Sequence, residues 1–596
     1  MMKEKGSFYF LAAVILAGVI AAYSNHFQNG FHFDDSHTVV QNVYIKDIRN
    51  VPLFFLDGTT FSSLPTNQTY RPLVSLTLAL DYWLGEGLKP FYFHLSTFIL
   101  FLLQGILMYL LFLKVFNFSH KNSWNPFTAL FAAGWYLLHP ANAETINYVI
   151  ARSDSISTLF VVLALVLFIY SPRMRRFHIY LIPVGLGLLT KPVAAMFAPL
   201  LLAYILLFEI EGTGTGKKAP LPLYARLKMA VPSFVFSGIF LIFIEKMNPK
   251  TWVPGGISHL NYAVTQPFVI LHYFLSFFLP LDLSADSDWR ALDSMMDIRF
   301  FAGSLFIIAL TAIALAARKG KYRPISFGLL WFLIALLPTS AFFPLAEVLN
   351  DHRMFFPFVG LAMSICWSTG LLLERLAGSV KSEKALKAAA FSAALIILSA
   401  YACGTHERNK VWATDLTLWR DVAEKSPENG RGLMNYGLAL MAKADYKNAE
   451  IQFTRALELT PGYPYLHINL GILKNATGDP EEAEIYFKNG IAYGPIYPEC
   501  YFHYAKFLKH RERPEEAIRN LARALELLPA HMGARHLLMD IYYEGSRMEE
   551  LVLLARETLR MDPADLKALF YLSLAGGANS KPPQNNLALA KSRMAK

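Results

Sequence analysis

Two hydrophobic patterns divide this chain. As far as about residue 405, long uninterrupted apolar runs follow one another; beyond it, apolar residues recur at helical spacing among charges. The runs lie at 8–24, 94–113, 127–139, 155–171, 179–190, 194–209, 229–244, 263–281, 300–317, 325–342, 354–373 and 388–404. A membrane-crossing helix needs about 20 mainly apolar residues, so each is a candidate span. The first, behind Lys3 and Lys5, reads as a retained span rather than a cleaved leader. The pattern predicts an all-α protein: a polytopic membrane domain over 1–405, a connecting helix over 406–429 and a helical soluble region after it.

Basic connectors set the sides. They hold Lys3 and Lys5; Lys114 and Lys121; Arg173, Arg175 and Arg176; Lys217, Lys218, Arg226 and Lys228; Arg318 to Arg323; and Arg375 to Lys387. Placing all of them in the cytoplasm requires an even number of crossings between clusters, and three candidates lie between Lys228 and Arg318. The weakest is 263–281, which carries Gln266, Pro267 and His272 and precedes an acidic stretch. It is expected to be re-entrant or interfacial, since irregular backbone is tolerated where it lines a protein cavity. The result is eleven crossings, with the long first loop (25–93) and the C-terminal region on the same, non-cytoplasmic face. Arg408 and Lys410, just past the last span, run against that placement.

The C-terminal third repeats. Pro427, Pro461, Pro495, Pro529 and Pro563 are each 34 residues apart. In register with them stand Gly437, Gly471 and Ala505; Ala449, Ala483 and Ala517; Phe453, Phe487 and Leu521; and Ala456, Gly490 and Ala524. Small residues let paired helices approach, and the proline ends the second helix. This is the tetratricopeptide pattern, predicted over 430–579 as an α-solenoid whose groove takes a protein or glycan. The copy at 532–565 departs, with Met539, Leu551 and Thr558 at the small positions. The tail 580–596 reads as disordered.

Composition agrees with this division. Of 596 residues 54% are hydrophobic and 17% charged, against about 25% charged in soluble proteins. The net charge of +10 sits in connectors rather than on one polar face, which excludes a nucleic-acid partner. Cys366, Cys403 and Cys500 are too dispersed for a disulfide framework or a cysteine metal site.

The outer loops carry the chemistry. In the first, the stretch FHFDDSHTVVQN places Asp34 and Asp35 just beyond the first span, followed by Arg71 and, at the end of the loop, Asp81 and His94. Residues 72–84 read as a helix lying in the interface. The second outer loop, 137–154, holds His139, Glu144, Arg152 and Asp154; Lys191 lies in a later loop, and Glu347, Asp351, His352 and Arg353 come before the last spans. Charges at a bilayer are costly and, gathered together, mark function. Carboxylates such as Asp34 and Asp35 can supply a general base or hold a divalent metal. Arg71, Arg152, Lys191 and Arg353 can neutralise a phosphate. His32 and His37 alternate with aromatics and read as structural.

These motifs, in this order, resemble the transmembrane and tetratricopeptide-repeat O-mannosyltransferases and their bacterial relatives in the GT-C glycosyltransferase superfamily. The likeness rests on Phe31 with Asp34 and Asp35, Tyr70-Arg71-Pro72-Leu73, His94, and His139-Pro140 through Glu144, Arg152 and Asp154. It continues with Lys191, the run from Pro280 to Asp286, Arg353 with Pro357-Phe358-Val359-Gly360, and the repeats. Asn142 and Pro192 depart from the family pattern. The resemblance implies transfer of a sugar from a polyprenyl-phosphate carrier to an acceptor hydroxyl on the non-cytoplasmic face of the bilayer.

In that chemistry Asp34 and Asp35 are the catalytic pair, one acting as base and the other orienting the acceptor or a metal; Asp34 is taken as the base, with the swapped assignment left open. Arg71, Arg152, Lys191 and Arg353 are the donor-phosphate holders, and His94, His139, Glu144 and Asp154 support them. The short loops suggest a bacterial inner membrane with the site facing the periplasm. Two other readings are a non-enzymatic scaffold for envelope assembly and a ligase or polymerase of lipid-linked oligosaccharides.

Overall fold

The structure is a computed structural model that describes residues 2–212, 218–220, 222–251, 257–342, 345, 347–380, 382–563 and 565–575. The tail expected to be disordered, 580–596, lies outside the described residues. The chain forms two compact units, Met1–Asp421 and Val422–Lys596.

The first unit is a helical bundle with a folded cap. It opens with α1 (Met2–Ala22); the loop after it contains α2 (Val51–Leu56) and α3 (Pro72–Leu84). There follow α4 (Pro90–Ser119), α5 (Asn125–Leu137), the short α6 (Asn142–Asn147), α7 (Arg152–Tyr170), α8 (Pro172–Arg176), α9 (Leu181–Leu188) and α10 (Phe197–Phe208). After a two-stranded antiparallel ribbon, Ile210–Gly212 with Lys218–Pro220, come α11 (Leu223–Met247), α12 (His259–Ser276), α13 (Ile298–Ala316), α14 (Arg323–Leu337), α15 (Phe355–Ala377), α16 (Glu383–Val411) and α17 (Asp415–Lys425).

Among the described residues, eight helical segments are long and apolar enough to cross a membrane. The runs expected as spans at 127–139, 179–190 and 194–209 fall on shorter helices. The run 263–281, expected to be re-entrant or interfacial, lies mostly on α12, helical from His259 to Ser276, and α12 is not one of the eight segments; its polar side chains find partners. The Gln266 amide donates to the Val348 carbonyl at 3.1 Å, and the Thr265 hydroxyl accepts the Leu292 N–H at 2.8 Å.

The first loop is a domain in miniature. Val39, Ile45, Phe54, Phe61, Val74, Leu78 and Phe93 pack into their own core with Val149 and Ile150. Each such side chain, fully buried, contributes roughly 1.5–3 kcal/mol. The loop is thereby locked onto the turn between α6 and α7.

The first and last long helices end together. The Asn409 amide donates to the carbonyl of Ala22, where α1 stops, at 3.0 Å; Asn25 and Asn29 donate back to the carbonyls of His406 and Asn409. His32, buried, bonds the Trp412 carbonyl at 2.7 Å and the Asp415 carboxylate at 2.8 Å. The chain therefore leaves α16 at the end of the bundle where the first loop begins. The two basic residues there are neutralised locally, Arg408 by Asp421 at 2.5 Å and Lys410 by Glu407 at 2.6 Å.

The second unit stacks helix pairs: α18 (Gly430–Met441) with α19 (Tyr446–Leu459), α20 (Pro464–Thr477) with α21 (Pro480–Tyr493), α22 (Pro498–His510) with α23 (Pro514–Leu527), α24 (Met532–Glu544) with α25 (Met548–Met561), and a closing α26 (Leu566–Ala575). Ala449, Ala483 and Ala517 are completely buried, as are Phe453, Leu521, Ala456 and Ala524. In the divergent copy, Met539, Leu551 and Thr558 are equally buried, so larger side chains fill the space and the helix pair persists. Gly478 ends α20 in the left-handed conformation, φ 93°, which glycine adopts without a Cβ penalty.

Candidate functional site

The site is built on the turn that carries the two aspartates. Phe33 sits at φ 48°, a strained conformation for a residue with a side chain, and its ring is held by Trp419 at 4.8 Å and Tyr148 at 5.5 Å. The twist sends Asp34 and Asp35 in opposite senses. Asp35 is fully buried. Its two oxygens accept backbone N–H groups from His32 at 3.1 Å, Val149 at 3.2 Å and Ile150 at 2.9 Å. Burial lifts its carboxyl to about 7, against the pull of those three donors.

Asp34 is the open one, its side chain 53% exposed. Its Oδ1 lies 3.3 Å from His37 Nε2, and the Tyr148 hydroxyl accepts its backbone N–H at 3.1 Å. Enclosure alone would raise its pKa. The His37 ring and hydrogen bonds from Tyr148 and Asn67 outweigh that and hold it below the usual carboxylate range. Asp34 is therefore ionised at neutral pH.

Arg71 lies within reach of its charge, and Lys191 within reach of Arg71 and Arg353. The Leu73 N–H donates to the Leu189 carbonyl at 3.3 Å, which brings the start of α3, with Arg71, against the loop carrying Lys191. Arg71 stacks over the Phe61 ring at 5.4 Å. Buried, its guanidinium is lowered from its usual pKa, and the nearby charges of Asp154 and Asp34 oppose the shift. Lys191 Nζ donates to both Asp154 oxygens at 2.7 Å. Burial lowers its pKa; Asp154 counters this, while Arg71 and Arg353 add to it. Arg353 donates to the Glu347 carbonyl at 3.0 Å. The Nε atoms of Arg71 and Arg353 are buried without a hydrogen-bond partner. Arg71 and Lys191 share the charge of Asp154, and the unspent Nε–H groups of Arg71 and Arg353 can donate to an added phosphate oxygen.

The other expected site residues lie elsewhere. Arg152 does not join the cation group: it is 1% exposed, paired with buried Asp81, and donates to the Phe93 carbonyl at 2.6 Å. It holds α3 and α4 to the head of α7. His94 is buried, bonded to the Asn29 carbonyl at 2.9 Å, with its ring 4.4 Å from His26. His139 is buried between Phe277 and Phe358, and bonds the Phe277 carbonyl at 3.0 Å. Glu144 bonds His352 Nδ1 at 2.7 Å, and its second oxygen is buried without a partner.

A divalent ion on the aspartate pair does not fit these donors. The Asp35 oxygens face N–H groups that would repel a cation, which leaves Asp34 alone. Among the described residues no three His, Cys, Asp or Glu side chains gather at metal-binding distance.

Sequence reasoning passed over Tyr148, Asn67 and the role of His37. His37 lies in the FHFDDSH stretch but faces Asp34 rather than the core, because the turn after Asp35 winds as a π-helix over Ser36–Val40. Tyr148 is four residues beyond Glu144 in the second outer loop, and the sequence gives no sign of its approach to Asp34.

A membrane bundle with a capped acid–cation recess and a tetratricopeptide array is the class that this architecture defines. A tetratricopeptide-repeat family model matches residues 430–463. The chain is similar to "Protein O-mannosyl-transferase TMTC3" of Homo sapiens, 22% identical over 496 residues, covering 77% of this chain and 52% of that protein. It is also similar to "Protein O-mannosyl-transferase F38B6.6" of Caenorhabditis elegans, 22% identical over 475 residues, covering 77% and 64%. The chain thus spans about half the length of human TMTC3. Of solved structures, YrrB, titled "a TPR protein with an unusual peptide-binding site", is 18% identical with a TM-score of 0.23, covering 29% of this chain and 86% of that one.

Proposed function

We propose that this protein is a membrane glycosyltransferase that moves a sugar from a polyprenyl-phosphate carrier to a hydroxyl of an acceptor protein on the non-cytoplasmic face. The observation that carries the reading is the ionised, half-exposed Asp34 close to Arg71, which with Lys191 forms the cationic side of the site, a general base next to a phosphate seat. The names of the similar proteins point to mannose as the sugar. The common end of α1 and α16 supports placing the catalytic loops and the C-terminal region in one compartment, the periplasm of a bacterial inner membrane.

In the reaction, Asp34 Oδ takes the proton of the acceptor hydroxyl as that oxygen bonds the anomeric carbon. The bond from that carbon to the phosphate oxygen breaks, and its electrons stay on the polyprenyl phosphate. Arg71, Lys191 and Arg353 stabilise the charge that develops there. Attack opposite the leaving group inverts the anomeric centre. Asp35 takes no proton: it pins the turn to the α6–α7 junction so that Asp34 faces outward. Arg152 holds the same junction from beneath through Asp81. The repeats raise the local concentration of the acceptor.

The experiment is mass spectrometry of an acceptor protein incubated with the purified full chain and polyprenyl-phosphate mannose. Addition of single hexoses at Ser or Thr supports the reading. A whole oligosaccharide added at once, or no addition, overturns it.

A further inference from the structure

At the far end of α4 from the first loop, about 45 Å away by helix rise, a cleft of about 660 Å³ is lined by Lys114, Asn117, Phe118, Lys121, Asn122 and Ser123. It takes no part in the reaction described above, and its hydrogen-bonding capacity is one-sided. The Asn122 Oδ1 accepts the backbone N–H of Trp124 at 3.1 Å, which fixes that amide with its NH2 turned the other way. The Asn125 amide nitrogen donates to the His120 carbonyl and to Asn117 Oδ1, both at 2.8 Å. Asn117 is therefore also fixed with its oxygen used and its NH2 unspent. Lys114 lies over the rings of Phe118 at 5.2 Å and Tyr170 at 4.7 Å. Neither lysine has an acidic partner among the described residues. The nearby acid, Glu374, is committed to His120 Nε2 at 2.7 Å.

We propose that this cleft seats a phosphate-ester anion, the headgroup of an anionic phospholipid in the leaflet facing the basic connectors. Two ammonium groups, two amide NH2 groups and the Ser123 hydroxyl can all donate, and a phosphodiester offers only acceptors. A lipid source rather than a free anion follows from the surroundings. Phe118 is 49% exposed at the rim, α4 is itself long and apolar enough to cross the bilayer, and basic pockets at helix ends on the cytoplasmic side attract anionic headgroups. The acyl chains would lie along α4 beside Phe118.

Native mass spectrometry of the full chain, released from bilayers of phosphatidylglycerol mixed with phosphatidylcholine, tests this. The wild type should retain phosphatidylglycerol in preference to phosphatidylcholine, and Lys121→Gln should weaken that preference about fivefold with the melting temperature unchanged. Lys114→Gln/Lys121→Gln should abolish it. Equal retention of the two lipids, or an unchanged preference in Lys121→Gln, overturns the site. A second arm adds inorganic phosphate to the chain in neutral detergent. If millimolar phosphate stabilises the wild type and phosphatidylglycerol adds nothing, the lipid assignment fails.

Discussion

The Tyr148 hydroxyl oxygen lies 3.1 Å from the backbone nitrogen of Asp34, and the same phenol helps hold the Asp34 carboxyl below its usual pKa. One side chain from the second outer loop thus fixes the backbone of the acid in the first and adds to the pull of His37 on its ionisation. The two loops are 114 residues apart in sequence, and the Phe33, Tyr148 and Trp412 rings stack around the contact.

Removing that phenol should shift the acid limb of activity. The hydrogen bond favours the ionised carboxylate, so Tyr148→Phe raises the Asp34 pKa. A bond worth about 1 kcal/mol corresponds to a shift of about 0.5–1 pH unit. The pH profile of kcat/KM for the variant should lose activity at a higher pH than the wild type does. An unmoved acid limb would show that Asp34 is not the titrating group.

Asp35 makes folding stability depend on pH. An unfolded aspartate titrates near 4 and the folded one at about 7, so between those values the folded state holds the extra proton. This contribution to stability is complete below about pH 4 and is lost as the pH rises through 7. Melting temperatures in detergent should fall from pH 5 to pH 8, and Asp35→Asn, which cannot titrate, should flatten that slope. An identical slope in the variant would count against the buried carboxyl as its source.

Arg152 and Arg71 should fail in different ways. Arg152→Ala leaves Asp81 buried without its partner, a loss of about 3–5 kcal/mol, so little folded protein should survive size-exclusion chromatography. Arg71→Ala should fold normally and lower kcat/KM for the lipid-linked donor about 10- to 100-fold, the worth of a hydrogen bond to a charged group. The account has the phosphate seat wrong if the Arg71 variant is unstable yet fully active once folded.

The repeat array depends on its small positions. A Cβ on Gly437 would stand 2.5 Å from Phe453 Cε1 and 2.6 Å from its Cδ1. Gly437→Leu should therefore cost about 1–3 kcal/mol through overpacking. Limited proteolysis of the full chain should then cut earliest within 430–463. Wild-type resistance there would mean the first helix pair tolerates the added volume.

The fold was legible where one periodicity dominates. The 34-residue spacing from Pro427 to Pro563 and the small residues between announced the array, and the long apolar runs announced the bundle. The runs at 127–139, 179–190 and 194–209 were harder to read, because their apolar stretches continue past the ends of the short helices that carry them. At the site, the adjacent aspartates and the cations Arg71, Lys191 and Arg353 were evident from loop position. Their division of labour was not. Asp34 and Asp35 are indistinguishable as letters; a left-handed Phe33 and three backbone N–H groups make one a reactive surface group and the other a buried clamp. Arg152 resembled a phosphate holder because nothing in its own loop revealed Asp81, 71 residues earlier.

The central claim is that Asp34 takes the acceptor's proton. The most direct measurement is the rate of hexose transfer from polyprenyl-phosphate mannose to an acceptor protein by purified wild type and Asp34→Asn, each first shown to melt at the same temperature. A lost general base lowers the rate by about 10²–10⁴-fold, and that is the predicted result. Transfer by Asp34→Asn at the wild-type rate would contradict it.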